Sequence, residues 1–262
     1  MKKTHLFLTP LLCVFLFLQS CEDEPVDNEM ITEEPVNLKL CIPSDLQSNV
    51  LAYYPFADGS LEDVFNENNL SNNTNAQPTT DINGNLNCAF YFNSETVDFL
   101  TTTNAEFLNN LSELSISLWF KNDDPVNDGS YDLLISRDED LSCPDTYGQW
   151  SLGFYDCRSI VFARLNSVWD RNCNGEIDYD NWIHYVVTYA VQDNRISMYR
   201  DGILRESETG IGVCNGGPTY EDIGDLIIGR FFTGTIDDIA IFDIELDQSQ
   251  VNTLYQSEPC CI

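Results

Sequence analysis

The chain has 262 residues, with 43 acidic side chains against 12 basic ones and a formal net charge of −31. A surface that negative repels nucleic acid and polyanionic polysaccharides; it suits neutral glycans, cations or basic protein surfaces, while acidic glycans would need a bridging cation such as calcium. The length allows one large domain behind a leader, with an aromatic share of 12 % to fill its core.

Lys2 and Lys3 precede an apolar run from Leu6 to Leu18 that ends in "LQSC", residues 18–21. A basic start and about a dozen apolar residues make a secretion signal, too short to span a bilayer. "LQSC" resembles a bacterial lipobox, which implies a signal peptide over 1–20 and lipidation of Cys21. The next run, "EDEPVDNEMITEEP", carries seven acids and two prolines. It offers little to bury, so residues 21–40 are expected to form a disordered, solvated tether. An acidic run directly after a lipidated Cys is similar to the surface-export signal of Bacteroidota lipoproteins. That implies an outer-membrane anchor at the cell surface, with a periplasm-facing anchor as the alternative and membrane contact through the lipid alone.

Beyond the tether, alternating apolar and polar runs between turn residues predict antiparallel strands. They fall at "VLAYYPF" (50–56), "CAFYFN" (88–93), "LSISLWFK" (114–121), "DLLISR" (132–137), "QWSLGFY" (149–155) and "SIVFARL" (159–165). More follow at "WIHYVVTYA" (182–190), "RISMYRDGILRES" (195–207), "LIIGR" (226–230) and "TIDDIAIFD" (235–243). One short helix is predicted over 246–256, with Asp247 as N-cap and Val251, Leu254 and Tyr255 on one face. Ten or more strands with one helix predict an all-β, two-sheet antiparallel jelly-roll sandwich over 41–262.

Cys13 falls in the signal and Cys21 at the anchor. Eight cysteines remain: Cys41, Cys88, Cys143, Cys157, Cys173, Cys214, Cys260 and Cys261. An even set in an exported domain predicts disulfides whose connectivity spacing alone does not fix. The pairings expected are Cys143 with Cys157, Cys173 with Cys214, and the C-terminal pair clamping Cys41 or Cys88.

Four segments in order, "LAYYPFADGSLEDVFNENN", "LSISLWFK", "WIHYVVTY…NRISMYRDG" and "LIIGRFFTGTIDDIAIFDIELDQSQVNTLY", resemble the laminin-G-like branch of the concanavalin A-like lectin/glucanase superfamily. The resemblance runs from about Val50 to Tyr255. It implies two curved sheets packed face to face, ligands on the concave face or rim loops, and commonly a structural calcium. One fold hosts many activities, so function must be argued from the site.

The run "DRNCNGEIDYDNW", 170–182, has three readings. Glu176, Asp178 and Asp180 have the spacing by which retaining glucanases of this superfamily place nucleophile and acid/base on one face of a strand. Asp180 lies only two residues before Trp182, however, in a connection. Asp170, Asn172, Asn174 and Asp178 match positions 1, 3, 5 and 9 of a calcium loop, with Gly175 at the turn but Asn181 where a bidentate Glu belongs. The third reading, an acidic hairpin loop without chemistry, is preferred. A second calcium set, Asp58, Asp63 and Asp237, is implied by the resemblance alone; otherwise Asp58-Gly59 reads as a turn.

His184 is the only histidine after the signal. Alternation places it with Trp182 and Val186, and a structural role is expected; no G-x-S-x-G turn accompanies it. Trp119 and Phe120 alternate in one strand, so one of them enters the core. Trp150 and Trp169 lie at strand ends and are candidate stacking platforms for sugar rings, with Arg164 as a polar partner. The expected function is a non-catalytic, cell-surface binding module for carbohydrate. The alternatives are a protein–protein module for adhesion or transport-complex assembly, and a glycan-cleaving hydrolase or lyase using Glu176 and Asp180.

Overall fold

Alternation of apolar and polar residues underlies the strands: the described residues form fourteen strands and one α-helix in a computed structural model, and the central strands are buried on both faces. The structure describes residues 37–124, 131–137, 150–155, 159–164, 166–171, 179–209, 224–257 and 260–261. The eight-stranded sheet contains β1 (Val50–Tyr54), β2 (Gln77–Thr79), β3 (Ala89–Phe92), β5 (Glu113–Asn122), β10 (Trp182–Ala190), β11 (Arg195–Arg200), β12 (Ile203–Glu208) and β14 (Gly234–Phe242). Its order is β12-β11-β10-β5-β14-β3-β2, with β1 also on β14. The six-stranded sheet runs β4 (Leu100–Thr102), β13 (Leu226–Ile228), β6 (Tyr131–Ser136), β7 (Ser151–Tyr155), β8 (Ser159–Arg164) and β9 (Asn166–Asp170). Every pairing between these strands is antiparallel. This is the expected sandwich.

Between the sheets lies the larger core, which includes Phe90, Phe92, Ile116, Leu118, Phe120, Tyr185 and Ile239 from one side and Leu152, Phe154, Ile160, Phe162 and Val168 from the other. A second cluster covers the outer face of the eight-stranded sheet. There Val186, Tyr199, Ala240 and Phe242 meet Val251 and Leu254 of helix α1 (Gln248–Gln256) and Ile42 and Leu46 from the segment before β1. Helix α1 starts at Asp247, whose carboxylate accepts from the Gln250 N–H while the Gln250 side chain accepts from the Asp247 N–H, a reciprocal cap. No helix among the described residues is long and apolar enough to cross a membrane.

The first residues of β14 pair with β3 and the last with β1, and its register against β5 shifts between Asp237 and Ala240. The changeover falls at Asp237-Asp238, where Asp238 has φ +47°. Asp and Asn tolerate that left-handed geometry better than branched residues do. Two disulfides close the chain ends onto the sheets, Cys41–Cys260 and Cys88–Cys261. The C-terminal pair thus clamps both candidates rather than one of them. Cys143, Cys157, Cys173 and Cys214 lie outside the described residues, as do Cys21, the signal and residues 21–36 of the tether.

Four elements depart from the sequence reading, and one open choice is resolved. The short strands β2, β4 and β9 were not expected, because "QPT", "LTT" and "NSVWD" are brief and largely polar. The run 195–207 is two strands, β11 and β12, joined at Asp201-Gly202 with φ of +49° and +75°. An Asp-Gly pair is itself a two-residue hairpin signal. Of the alternating pair on β5, Phe120 enters the inter-sheet core and Trp119 goes under α1.

Candidate functional site

On the six-stranded sheet, Leu152, Phe154, Ile160, Phe162 and Val168 point into the core, so their neighbours point away from it. Three aromatics meet on that outward face. Tyr131 opens β6 opposite Tyr155, which closes β7, and their ring centroids lie 6.0 Å apart. Tyr155 in turn meets Trp169 of β9 edge to face, at 5.7 Å and 64°. The row Tyr131–Tyr155–Trp169 therefore spans β6, β7 and β9, passing the end of β8.

Gly153 makes the row possible. A methyl group at this position would stand 2.3 Å from the Asp132 carbonyl oxygen and 2.9 Å from Cε1 of Tyr131. Its absence lets the Tyr131 ring lie on the sheet, with the hydroxyl 3.2 Å from Ser151 Oγ. Burial pushes the Tyr131 phenol up, so it stays protonated and able to donate. Tyr155 remains 39 % exposed and Trp169 half-buried. Exposed aromatic faces on a rigid sheet are what a sugar ring's C–H surface stacks on.

Of the expected platform residues, Trp169 belongs to this row. Trp150 does not: it is 1 % exposed, packed beside Phe162 in the inter-sheet core, and has no face left for a ligand. Arg164 ends β8, and its side chain lies outside the described residues. Arg171 lies outside the expected set, and its guanidinium carbon sits 5.2 Å from the centroid of the Trp169 ring. Strand alternation provides the signal that finds it, since residue i+2 shares a face with residue i.

The carboxylates take other places. Asp180 is an exposed surface residue with φ +57°, its Oδ1 3.3 Å from Lys121 Nζ. It stands in the connection before β10, paired with a lysine. Glu176 and Asp178 lie outside the described residues, and so do Asn172 and Asn174. Asp170, first ligand of the supposed calcium loop, is buried and held by cations. Its Oδ2 accepts from Arg200 at 2.8 Å and from the Tyr185 hydroxyl at 3.3 Å, and its Oδ1 lies 3.4 Å from Arg205 Nε.

The second calcium set, whose three residues are all described, is not assembled. Asp63 Oδ1 accepts from the N–H groups of Tyr53 and Phe65, and Oδ2 from those of Asn66 and Asn68, all at 3.0–3.1 Å. Those bonds fill the four acceptor positions of a carboxylate. Asp63 thus pins the loop after β1 to its own backbone. Asp58 is exposed beside Gly59, and Asp237 is 1 % exposed in the β14 bulge. Calcium takes six to eight oxygens, and the described residues contain no group of three or more Asp, Glu, His or Cys side chains placed to hold a metal. The set Asp58, Asp63 and Asp237 does not fit calcium. Burial pushes the Asp237 carboxyl well up, and the neighbouring charges of Asp238 and Asp81 push it further.

His184 is buried under α1, its ring in a three-way cluster with Trp119 at 5.1 Å and Tyr255 at 5.8 Å, which are themselves 5.9 Å apart. Its Nε2 lies 2.8 Å from Ser117 Oγ, while Nδ1 has no hydrogen-bond partner among the described residues. A hydrolytic triad needs a carboxylate on that nitrogen. Burial also pulls the imidazole pKa down to about 3, so it remains neutral at physiological pH. His184, Trp119 and Asp238 line a cavity of about 30 Å³, far too small for a sugar. A larger open groove of about 440 Å³ lies between Glu67–Asn69 and Thr102–Phe107. Its Asn68, Asn69, Thr102 and Asn104 side chains are already bonded within the protein. The aromatic row is the better-built surface.

Comparison with known proteins agrees with this architecture. A family model described as the concanavalin A-like lectin/glucanases superfamily matches residues 93–252. No curated protein matches the chain. Among solved structures, it is similar to the binding domain of botulinum neurotoxin DC in complex with rat synaptotagmin II, at 17 % identity and TM-score 0.61 over 80 % of this chain and 52 % of that one. A botulinum neurotoxin type C structure, whose cell uptake is described as dependent on interaction with two ganglioside molecules, gives 18 % and 0.62 over 81 % and 52 %. The binding domain of Paraclostridial mosquitocidal protein 1 gives 17 % and 0.62 over 84 % and 53 %. The chain spans about half the length of these structures, and likeness at such identities speaks for the fold alone.

Proposed function

Because the chain belongs to the concanavalin A-like lectin/glucanases superfamily, we propose that it is a binding module whose ligand is carbohydrate, taken on the outward face of the six-stranded sheet without chemical conversion. The observation that carries this reading is the row Tyr131–Tyr155–Trp169. The rings are fixed by strand register, so little side-chain freedom is lost when a ligand stacks on them. Each stacked aromatic contributes chiefly through the area it buries against the sugar. Two or three such contacts give the shallow, weak-to-moderate recognition typical of a surface that need not turn a substrate over.

A protein ligand is the second reading. It is favoured by the edge strand β12, where Ile203 and Leu204 are 64 % and 46 % exposed, and by the synaptotagmin complex of one similar structure. Cleavage of glycans is the third, and it would have to use an Asp180 that is exposed and paired with Lys121. The lipid-anchored outer-surface address that Cys21 implies is part of this proposal; palmitate labelling abolished by Cys21→Ser tests it.

A glycan array probed with the purified chain, beside a cell-surface protein pull-down, separates the first two readings. Saturable glycan signal that disappears in Tyr155→Ala/Trp169→Ala supports the proposal. Protein capture with a silent array supports β12. Reducing ends released from a polysaccharide panel would replace both with the enzyme.

A further inference from the structure

The chain as a whole is strongly anionic, which argues against negatively charged ligands. Among the described residues, however, a cation stands beside the aromatic row. Arg171 follows Trp169 by two residues on the same face, and its guanidinium lies over the indole ring at 5.2 Å. It is exposed, and among the described residues it makes no ion pair. The intervening Asp170 points into the sandwich, where Arg200 and Arg205 compensate its charge. Next to the stacking surface, therefore, stands a cation whose nearest acid in the strand is already neutralised.

Distance decides between the local and the overall charge. At physiological ionic strength, exposed charges farther apart than about 8 Å are largely screened from one another. A single carboxylate at the platform feels the guanidinium a few ångströms away far more than scattered acids across the surface. The guanidinium is planar and forked, which suits two parallel hydrogen bonds to a carboxylate. Stacking on Trp169 also holds it in place before a ligand arrives, so less freedom is lost on binding.

We infer that Arg171 makes the aromatic row a reader of carboxylated sugars: a pyranose ring stacks on the exposed Tyr155, which Trp169 meets edge to face, while its carboxylate meets the Arg171 fork that Trp169 carries. This rests on the proposal that the row binds carbohydrate, and it narrows the ligand from neutral glycans to those with an isolated acidic residue. A polyanion remains disfavoured, because charges extending beyond the platform meet the acidic remainder of the surface.

The test is titration of the full chain with a glucuronic-acid-capped and a sialic-acid-capped oligosaccharide, each beside its neutral methyl ester. The ester keeps the ring and removes the charge. A charge-assisted bond to guanidinium predicts that at least one acid binds about tenfold more tightly than its ester. Arg171→Gln brings the two affinities together, and Arg171→Lys keeps part of the difference. Acid and ester binding alike, or a difference that persists in Arg171→Gln, overturns the inference. If the esters still bind and Trp169→Ala abolishes that binding, the row stands and only the role of Arg171 fails. If neither acids nor esters bind, the inference fails, and the array result alone decides whether the row binds carbohydrate.

Discussion

Asp170 Oδ2 lies 2.8 Å from Arg200 Nη2, a buried ion pair between β9 at the edge of one sheet and β11 in the other. The Tyr185 hydroxyl donates to the same oxygen, and Arg205 approaches the other. The carboxylate read from sequence as the start of a calcium loop thus ties the two layers of the sandwich together.

Removing one partner of a buried ion pair leaves an uncompensated charge and costs about 3–5 kcal/mol. Asp170→Asn is accordingly expected to lower the urea-unfolding free energy by about that amount, equally in calcium and in chelator. A stability loss that chelator alone reproduces in the wild type would instead mark Asp170 as a metal ligand.

His184 supplies a pH dependence. Its folded-state pKa of about 3 lies below the ordinary value of 6.5 because burial disfavours the imidazolium. The unfolded chain therefore binds a proton that the folded chain refuses between those values. The contribution is complete above about pH 6.5 and falls by about 1.4 kcal/mol per pH unit as acid is added. Comparison of wild type with His184→Gln across pH 4–7 should isolate this slope. An imidazole carbon-proton resonance that titrates near pH 6 in the folded protein would contradict it.

Asp237 acts in the opposite direction. Its raised carboxyl pKa, caused first by burial and then by Asp238 and Asp81, means that the folded chain holds a proton the unfolded chain has released. Stability on this account decreases as pH rises from about 4 through the raised value. Asp237→Asn keeps an acceptor for the Asp238 N–H and removes the charge, so it should stabilise the protein at pH 8 and do little at pH 4. Destabilisation at pH 8, with added calcium stabilising the wild type alone, would show that this carboxylate holds a cation.

The disulfides close very long loops, with partners 219 and 173 residues apart. Cys41→Ser/Cys260→Ser is expected to cost about 2–5 kcal/mol by enlarging the freedom of the unfolded chain. The loss should show in the unfolding midpoint and leave glycan affinity at low temperature unchanged, because the row lies on the other sheet.

The two tryptophans first grouped as platforms should separate cleanly. Trp150→Ala opens a core cavity and costs about 3–5 kcal/mol. Trp169→Ala leaves the core intact and should weaken ligand binding at least tenfold with an unfolding free energy within about 1 kcal/mol of wild type. The reverse pattern would move the site into the Trp150 neighbourhood.

How much of this was visible in the sequence depended on range. Period-2 alternation revealed the long strands because one side of each faces a core, as in "LSISLWFK" and "WIHYVVTYA". It failed for "QPT" and "LTT", which are short edge pieces held by neighbours rather than by their own pattern. Trp169 could be suspected from composition alone. Tyr131 and Tyr155 could not be joined to it, since their contact depends on the register of β6 against β7 and on the missing side chain at Gly153. The acids were legible as types and not as roles. Asp63 serves backbone N–H groups and Asp170 serves arginines, choices set by three-dimensional neighbours that spacing does not reveal.

The most direct test of the account is calorimetric titration of an array-selected oligosaccharide into wild type and Tyr155→Ala/Trp169→Ala, with product analysis of the recovered sugar. The account predicts saturable binding to the wild type, its loss in the double variant, and an oligosaccharide recovered intact. Unchanged affinity in the variant, or a shortened sugar in the wild-type cell, would contradict it.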